Sequence, residues 1–138
     1  MPLTPSIRKI NPLDLNHNKT IGIAFPLDKE NLNQGTLTIK EQIKTNLVNL
    51  CLTEKGERLF LPKYGVGLKK LLFQNNIDTI SLNNTINQQI QIYLPQVTLI
   101  DTVVEFVQNQ NTLYIKIIYR YNLDGTTDAI QMNFNDCK

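Results

Sequence analysis

The chain has 138 residues, of which 41% are hydrophobic and 19% are charged, which fits one compact domain with a sizeable core. The formal net charge is only +2, and Lys and Arg are spread along the chain, so nucleic acid is not an expected partner. The sequence lacks an apolar run long enough for a membrane helix, and its start lacks the apolar core of a signal peptide. We therefore expect a soluble protein made in the cytoplasm, without a membrane partner.

Cysteine and histidine are too few and too scattered to predict a metal site or a redox site. Cys51 and Cys137 are expected to be free thiols, because a protein of the cytoplasm seldom forms a structural disulfide. His17 lies in a polar stretch without a neighbouring carboxylate or thiol, so we interpret it as a solvated surface residue. No cofactor and no metal are predicted.

Residues 1–37 are expected to form an extended N-terminal arm, and residues 38–138 a single domain. The first segment is rich in proline and has no sustained apolar period; only Ile21 to Phe25 suits a short strand. Its composition also fits a disordered tail, and that alternative stays open at this stage.

Three helices are predicted in the first half of the domain. The first covers Ile39 to Cys51 and begins at a capping box made by Thr38 and Glu41. A shorter one covers Gly67 to Phe73, and the third runs from Ser81 to Leu94, where Pro95 stops it. Between the first two, Arg58 to Leu61 is expected to be a short extended piece.

After Pro95 the apolar period changes from helical to two, which indicates strands. The predicted strands are Val97 to Val107, Leu113 to Tyr121 and Thr126 to Phe134, with a hairpin loop over residues 109–111. Helices first and an antiparallel meander second predict an α+β fold, with about three helices packed on one face of the sheet.

Catalytic residues are not predicted. Glu54 and Glu57 flank Gly56, while Asp101 and Glu105 share one face of a strand, so carboxylate pairs of the kind that glycosidases use can be drawn. Each carboxylate, however, has polar neighbours and is better explained as a surface charge. Gly65 and Gly67 lack the third glycine and the lysine of a phosphate loop, and favour a tight turn before a helix.

The last predicted strand has features of a protein-binding edge. Ile130, Met132 and Phe134 alternate along it with few charges, and an edge strand offers unpaired backbone groups to another chain. The alternative, that this strand is covered internally, is equally open. If the edge is free, charged substitutions at Ile130 or Met132 should block assembly and leave the monomer folded.

Residues 53–73 carry a recognisable motif, TEKGERLFLPKYGVGLKKLLF. It resembles the signature T-x-x-G-x-R…P-x-[FY]-G…L…[LI]-F of the small baseplate wedge proteins of contractile-tailed bacteriophages, often labelled "lysozyme-like". Related subunits occur in type VI secretion baseplates. The resemblance covers Ile39 to Phe134, and the matching motif residues are Thr53, Gly56, Arg58, Pro62, Gly65 and Phe73.

The resemblance implies a structural virion protein of the phage tail baseplate, assembled in the host cytoplasm and present in multiple copies in a symmetric baseplate. Its implied partners are other baseplate wedge proteins and the tail sheath protein, whose first ring it would template by β-strand addition. The family often has Glu-Pro-Arg after the third helix, at a contact with the wedge helical bundle; here Leu94, Pro95 and Gln96 stand there. A baseplate-associated peptidoglycan hydrolase and a protein-binding adaptor of the same fold are the alternatives.

Overall fold

A computed structural model describes residues 12–15, 19–23, 35–36, 38–74, 76–110 and 112–135. These described residues form two α-helices and five strands: β1 (Gly22–Ile23), β2 (Gly35–Thr36), α1 (Ile39–Leu52), α2 (Thr79–Tyr93), β3 (Val97–Val107), β4 (Thr112–Tyr121) and β5 (Thr127–Asn135). Short 3₁₀ turns cover Pro12–Leu15, Leu68–Phe73 and Gln108–Gln110. The interpretations of His17 and Cys137 concern positions outside the described residues.

Helix α1 begins at the predicted capping box. The Thr38 hydroxyl accepts a hydrogen bond from the Glu41 N–H at 3.3 Å, and a Glu41 carboxylate oxygen accepts from the Thr38 N–H at 3.4 Å. These bonds satisfy donors that the first turn of a helix cannot satisfy itself. The buried face of α1 carries Ile43, Thr45, Leu47, Leu50 and Cys51, so the predicted helix is confirmed.

The second predicted helix is shorter and tighter than expected, because Leu68–Phe73 forms 3₁₀ turns. The third is confirmed as α2, which begins two residues early at Thr79. Its N-cap is Asp78, whose carboxylate accepts a hydrogen bond from the Ile80 N–H at 3.1 Å. Helix α2 ends at Tyr93, before Pro95, as the sequence predicts.

The three long strands form one antiparallel sheet in the order β3-β4-β5. β5 pairs with β4 without a register shift from Thr127 to Asn135, whereas β3 contains an irregularity at Ile100 between Leu99 and Asp101. An extra residue of this kind bends and twists the strand that carries it. In the described part of the chain β3 and β5 are therefore the two edges of the sheet, and only β5 is regular along its length.

The helices pack on one face of this sheet and enclose the core, which confirms the predicted α+β fold. The period-two pattern of β4 places its alternate residues against the helices. Fully buried side chains from α1, α2 and β4 meet there: Leu47, Leu50, Cys51, Ile86, Ile90, Leu113, Ile115, Ile117 and Tyr119. Burial raises the pKa of the Cys51 thiol to about 12, as expected for a thiol that behaves as a core residue.

The described parts of the predicted arm lie against the start of α1. Asp14 accepts a hydrogen bond from the Ile39 N–H at 2.7 Å, which satisfies a further donor of the first helical turn. β1 pairs with β2, and the buried Thr36 hydroxyl donates to the Gln42 side-chain oxygen at 2.6 Å. The division into an arm of residues 1–37 and a domain of residues 38–138 stays a prediction.

Candidate functional site

The motif of residues 53–73 folds back on the C-terminal end of α1. The N–H and hydroxyl of Thr53 both donate to the Asn49 carbonyl, at 3.0 and 2.6 Å. The Val66 N–H donates to the Leu50 carbonyl at 3.0 Å, and the Gly67 N–H to the Thr53 carbonyl at 2.9 Å. Because the last carbonyls of a helix lack partners within it, these bonds both cap α1 and fix the motif.

Two motif glycines occupy backbone conformations that other residues avoid. Gly56 has φ +90° and Gly65 has φ +114°. The two sites differ in space: a Cβ at Gly65 would lie 2.2 Å from the Thr53 carbonyl oxygen, whereas a Cβ at Gly56 would have no neighbour within 4 Å. Gly65 is therefore required by close packing of backbone on backbone as well as by its φ angle.

Gln89 of α2 holds the second motif turn in place, a role that sequence reasoning missed. Its side-chain oxygen accepts a hydrogen bond from the Gly65 N–H at 2.9 Å, and its side-chain nitrogen donates to the Lys63 carbonyl at 3.0 Å. Gln89 and Gly65 are buried, so the Gly65 N–H depends on this side chain for its hydrogen bond, whereas Lys63 is an exposed residue. The sequence offered one signal, a glutamine on the same helix face as Ile86 and Ile90.

Arg58 packs on an aromatic ring of the same motif. Its guanidinium lies 4.3 Å from the centre of the Tyr64 ring, a cation–π arrangement. The Tyr64 ring meets the Tyr93 ring edge to face at 4.9 Å. Burial raises the pKa of the Tyr64 hydroxyl, although the nearby Arg58 charge lowers it.

The segment from Arg58 to Leu61 is a turn, so the predicted extended piece is wrong. The Leu61 N–H donates to the Arg58 carbonyl at 3.3 Å, which closes the chain on itself before Pro62. As a result the side chains of Leu59 and Phe60 point into solvent. Phe73, the last motif residue, is also exposed and lies at the end of its 3₁₀ turns.

The corner between α2 and β3 contains Leu94, Pro95 and Gln96. Leu94 is buried and caps α2 through its N–H, which donates to the Ile90 carbonyl at 2.8 Å, while Pro95 and Gln96 are exposed. Asn122 fixes the corner from the turn after β4: its side-chain nitrogen donates to the Pro95 carbonyl and its N–H to the Gln96 carbonyl, both at 2.9 Å. The sequence did not predict these hydrogen bonds from Asn122.

In the sheet that the described residues form, strand β5 is an edge, but its predicted contact side chains face inward. Ile130, Met132 and Phe134 are all buried in the core, opposite Ile117, Ile115 and Leu113 of β4. Charged substitutions at Ile130 or Met132 would bury a charge, so we now expect them to destabilise the monomer rather than leave it folded. What β5 offers to another chain is its outer backbone edge, together with the exposed Gln131 and Asn133 on the other face.

The four carboxylates considered for catalysis have structural partners or lie on the surface. Glu54 forms an ion pair with Lys70 at 3.2 Å, and a Glu57 carboxylate oxygen accepts a hydrogen bond from the Glu54 N–H at 3.0 Å. Asp101 accepts from the Thr102 N–H at 2.8 Å, and Glu105 is exposed on β3. Within the ranges that the structure describes, no three His, Cys, Asp or Glu side chains group closely enough to hold a metal ion.

Among the solved structures that resemble this chain, two share its fold at low sequence identity and a third is less similar. A protein from Geobacter sulfurreducens, provisionally named a tail lysozyme, superimposes with a TM-score of 0.62 at 19% identity, over 77% of this chain and 98% of that one. A chain of the type VI secretion system baseplate complex superimposes with a TM-score of 0.57 at 11% identity, over 70% of this chain and 93% of that one. A chain of the anti-feeding prophage baseplate has a TM-score of 0.48 at 20% identity, over 84% of this chain and 85% of that one.

These remote structural similarities do not establish the family of the chain, but a match to a family model does. Comparison with curated protein sequences gave no significant match. The model of the family described as baseplate wedge protein gp25 matches residues 37–126, which is more than half of the chain. The chain therefore belongs to the baseplate wedge protein gp25 family, and its class of function is a structural role in a baseplate. Among the described residues, no helix is long and apolar enough to cross a membrane.

Proposed function

We propose that the chain is a non-catalytic wedge subunit of a phage tail baseplate, present in several copies in the virion. In this proposal the outer edge of β5 accepts a strand from the tail sheath protein. The corner of Leu94, Pro95 and Gln96 contacts other wedge proteins. The observation that carries the proposal is the contrast between the two edges of the sheet.

The β5 edge suits strand addition and the β3 edge does not. From Ala129 to Asn135 the β5 sequence has no charged residue, and its pairing with β4 is regular throughout. β3 is interrupted at Ile100 and carries Asp101 and Glu105 on its exposed positions. Bulges and charges are the devices by which proteins prevent an edge from pairing, so of the two sheet edges that the described residues form, β5 is the one that suits a partner strand.

The corner supports an uncharged contact with a wedge protein. Pro95 and Gln96 expose their side chains while Asn122 holds their carbonyls, so the corner is presented in one conformation. Where relatives with Glu-Pro-Arg would offer an ion pair, this chain offers an amide and a proline ring. We therefore expect its contact to depend on hydrogen bonds and apolar packing, and to be little affected by salt.

The sheath contact is tested by adding charge to the exposed face of β5. Gln131→Lys with Asn133→Lys should leave the fold intact and abolish sheath polymerisation on the subunit, since edge lysines oppose strand pairing. Asn84→Lys with Gln88→Lys adds the same charge on the exposed side of α2 and should leave polymerisation unchanged. Normal sheath assembly on the β5 variant would refute the proposed edge.

The hydrolase alternative is tested by incubating the purified protein with peptidoglycan. We expect no turnover, because Glu54 is paired with Lys70 and Glu57 supports the turn at Glu54. Turnover that disappears in Glu57→Gln or Asp101→Asn would overturn the structural proposal.

A further inference from the structure

The loop of residues 56–62 ends in an apolar tip formed by Leu59 and Phe60. Their side chains are 93% and 94% exposed, more than the other large hydrophobic side chains that the structure describes. Two adjacent large apolar side chains fully in water are unusual for a surface without a partner. We propose that the Leu59–Phe60 tip inserts into an apolar pocket, rimmed by carboxylates, on a neighbouring baseplate protein.

The tip is held in shape by the loop that carries it. The Gly56 N–H donates to the Pro62 carbonyl at 2.9 Å and joins the two ends of the loop. The Leu61 N–H donates to the Arg58 carbonyl, and the Tyr64 N–H to the Leu61 carbonyl at 3.0 Å. A loop ordered by its own hydrogen bonds loses little conformational freedom on binding, which favours its use as a preformed plug.

The charges around the tip specify the rim of the pocket. Lys55, Arg58 and Lys63 are exposed and lie close to the tip along the chain. Glu54 forms an ion pair with Lys70 at 3.2 Å, whereas Glu57 keeps its negative charge and accepts a hydrogen bond from the Glu54 N–H at 3.0 Å. Three cations against the Glu57 carboxylate leave the charge of the loop positive, and Asp or Glu around the partner's pocket would complement it.

A second copy of the chain fits this description poorly. An apolar hollow of about 370 Å³ lies beside α1, and its lining includes the carboxylates of Asp14 and Asp124. Both carboxylates are already used, Asp14 by the Ile39 N–H and Asp124 by an ion pair with Lys40. An anionic membrane fits poorly as well, because lipid-binding segments carry clusters of about four to eight cations.

The inference rests on the proposed baseplate role, which supplies both the class of partner and the probe, the set of wedge proteins encoded with this chain. Leu59→Ser with Phe60→Ser should keep the unfolding midpoint, because both side chains are exposed, and should weaken binding to those wedge proteins at least tenfold. Ile80→Ser removes another exposed apolar side chain, on α2, and should bind as the unchanged chain does.

A photo-cross-linking residue at Phe60 identifies what the tip touches. We expect cross-links to a wedge protein, at an apolar site with Asp or Glu nearby. Three outcomes would overturn this inference and leave the proposed function standing. They are cross-links from Phe60 to another copy of the chain, pelleting with anionic vesicles that depends on Leu59 and Phe60, and binding of the Leu59→Ser, Phe60→Ser variant to the wedge proteins as tight as that of the unchanged chain. If the unchanged chain does not bind the wedge proteins at all, the proposed wedge contact fails together with it.

Discussion

The Gly65 N–H donates to the buried side-chain oxygen of Gln89 at 2.9 Å, which joins the family motif to α2 across 24 positions of sequence. The same side chain donates to the Lys63 carbonyl. Gln89→Leu would leave the buried Gly65 N–H without this partner and would remove the bond to the Lys63 carbonyl, so we expect a loss of about 1–3 kcal/mol in the free energy of unfolding, measured by urea denaturation. Gln88→Leu, on the exposed side of the helix, should change little, and an equal loss in both variants would contradict this account.

The elements of this fold were predictable because their patterns are local. The capping box of Thr38 and Glu41, the stop at Pro95 and the period-two alternation in β4 each act within a few residues, and the structure has them where the sequence indicates. The contacts of Gln89 and Asn122 were not predictable, because they join segments that only the tertiary fold brings together.

The surfaces were harder to predict than the elements. Leu59 and Phe60 look like core residues in sequence, but the turn that begins at Arg58 directs them outward. The alternation of Ile130, Met132 and Phe134 correctly indicated one face of a strand, yet not which face. Their burial follows from packing against α1, α2 and β4, which a strand pattern alone does not specify.

Neighbouring residues of β5 test this assignment of faces. Met132→Asp should destabilise the fold by about 3 kcal/mol or more, because it places a carboxylate in the core. Asn133→Asp, one residue on and exposed, should alter stability by about 0.5 kcal/mol or less. Thermal unfolding of the two variants decides the point, and a stable, folded Met132→Asp protein would reverse the assignment.

The two motif glycines should differ in their tolerance of a side chain. Gly56→Ala strains a positive φ in open space, so we expect a loss of about 1–3 kcal/mol. Gly65→Ala adds to that strain a Cβ placed 2.2 Å from the Thr53 carbonyl oxygen, so its loss should be clearly larger. Chemical denaturation of both variants measures the difference; equal losses would mean that the backbone at Thr53 yields freely.

Because of Asp124, we expect the stability of the fold to fall at acid pH. Hydrogen bonds from Lys40, and then from the Thr126 side chain and backbone, lower the pKa of Asp124 to about 2. Because this value lies below the unfolded one, the stabilisation is present above about pH 4 and is lost as the pH falls towards 2. In Asp124→Asn the free energy of unfolding, measured against pH, should change less between about pH 4 and 2, and Lys40→Met should have a similar effect. If either variant lost stability as steeply as the unchanged chain, the pairing of Asp124 with Lys40 would be contradicted.

Hydrogen exchange in β5 tests the central claim most directly. Addition of the sheath protein should slow exchange at those backbone amides of residues 129–135 that face away from β4, because a new strand would accept their hydrogen bonds. The amides of β3, at the opposite edge, should exchange as before. Sheath binding that protects β3, or that leaves β5 exchanging at its original rate, would contradict strand addition at this edge.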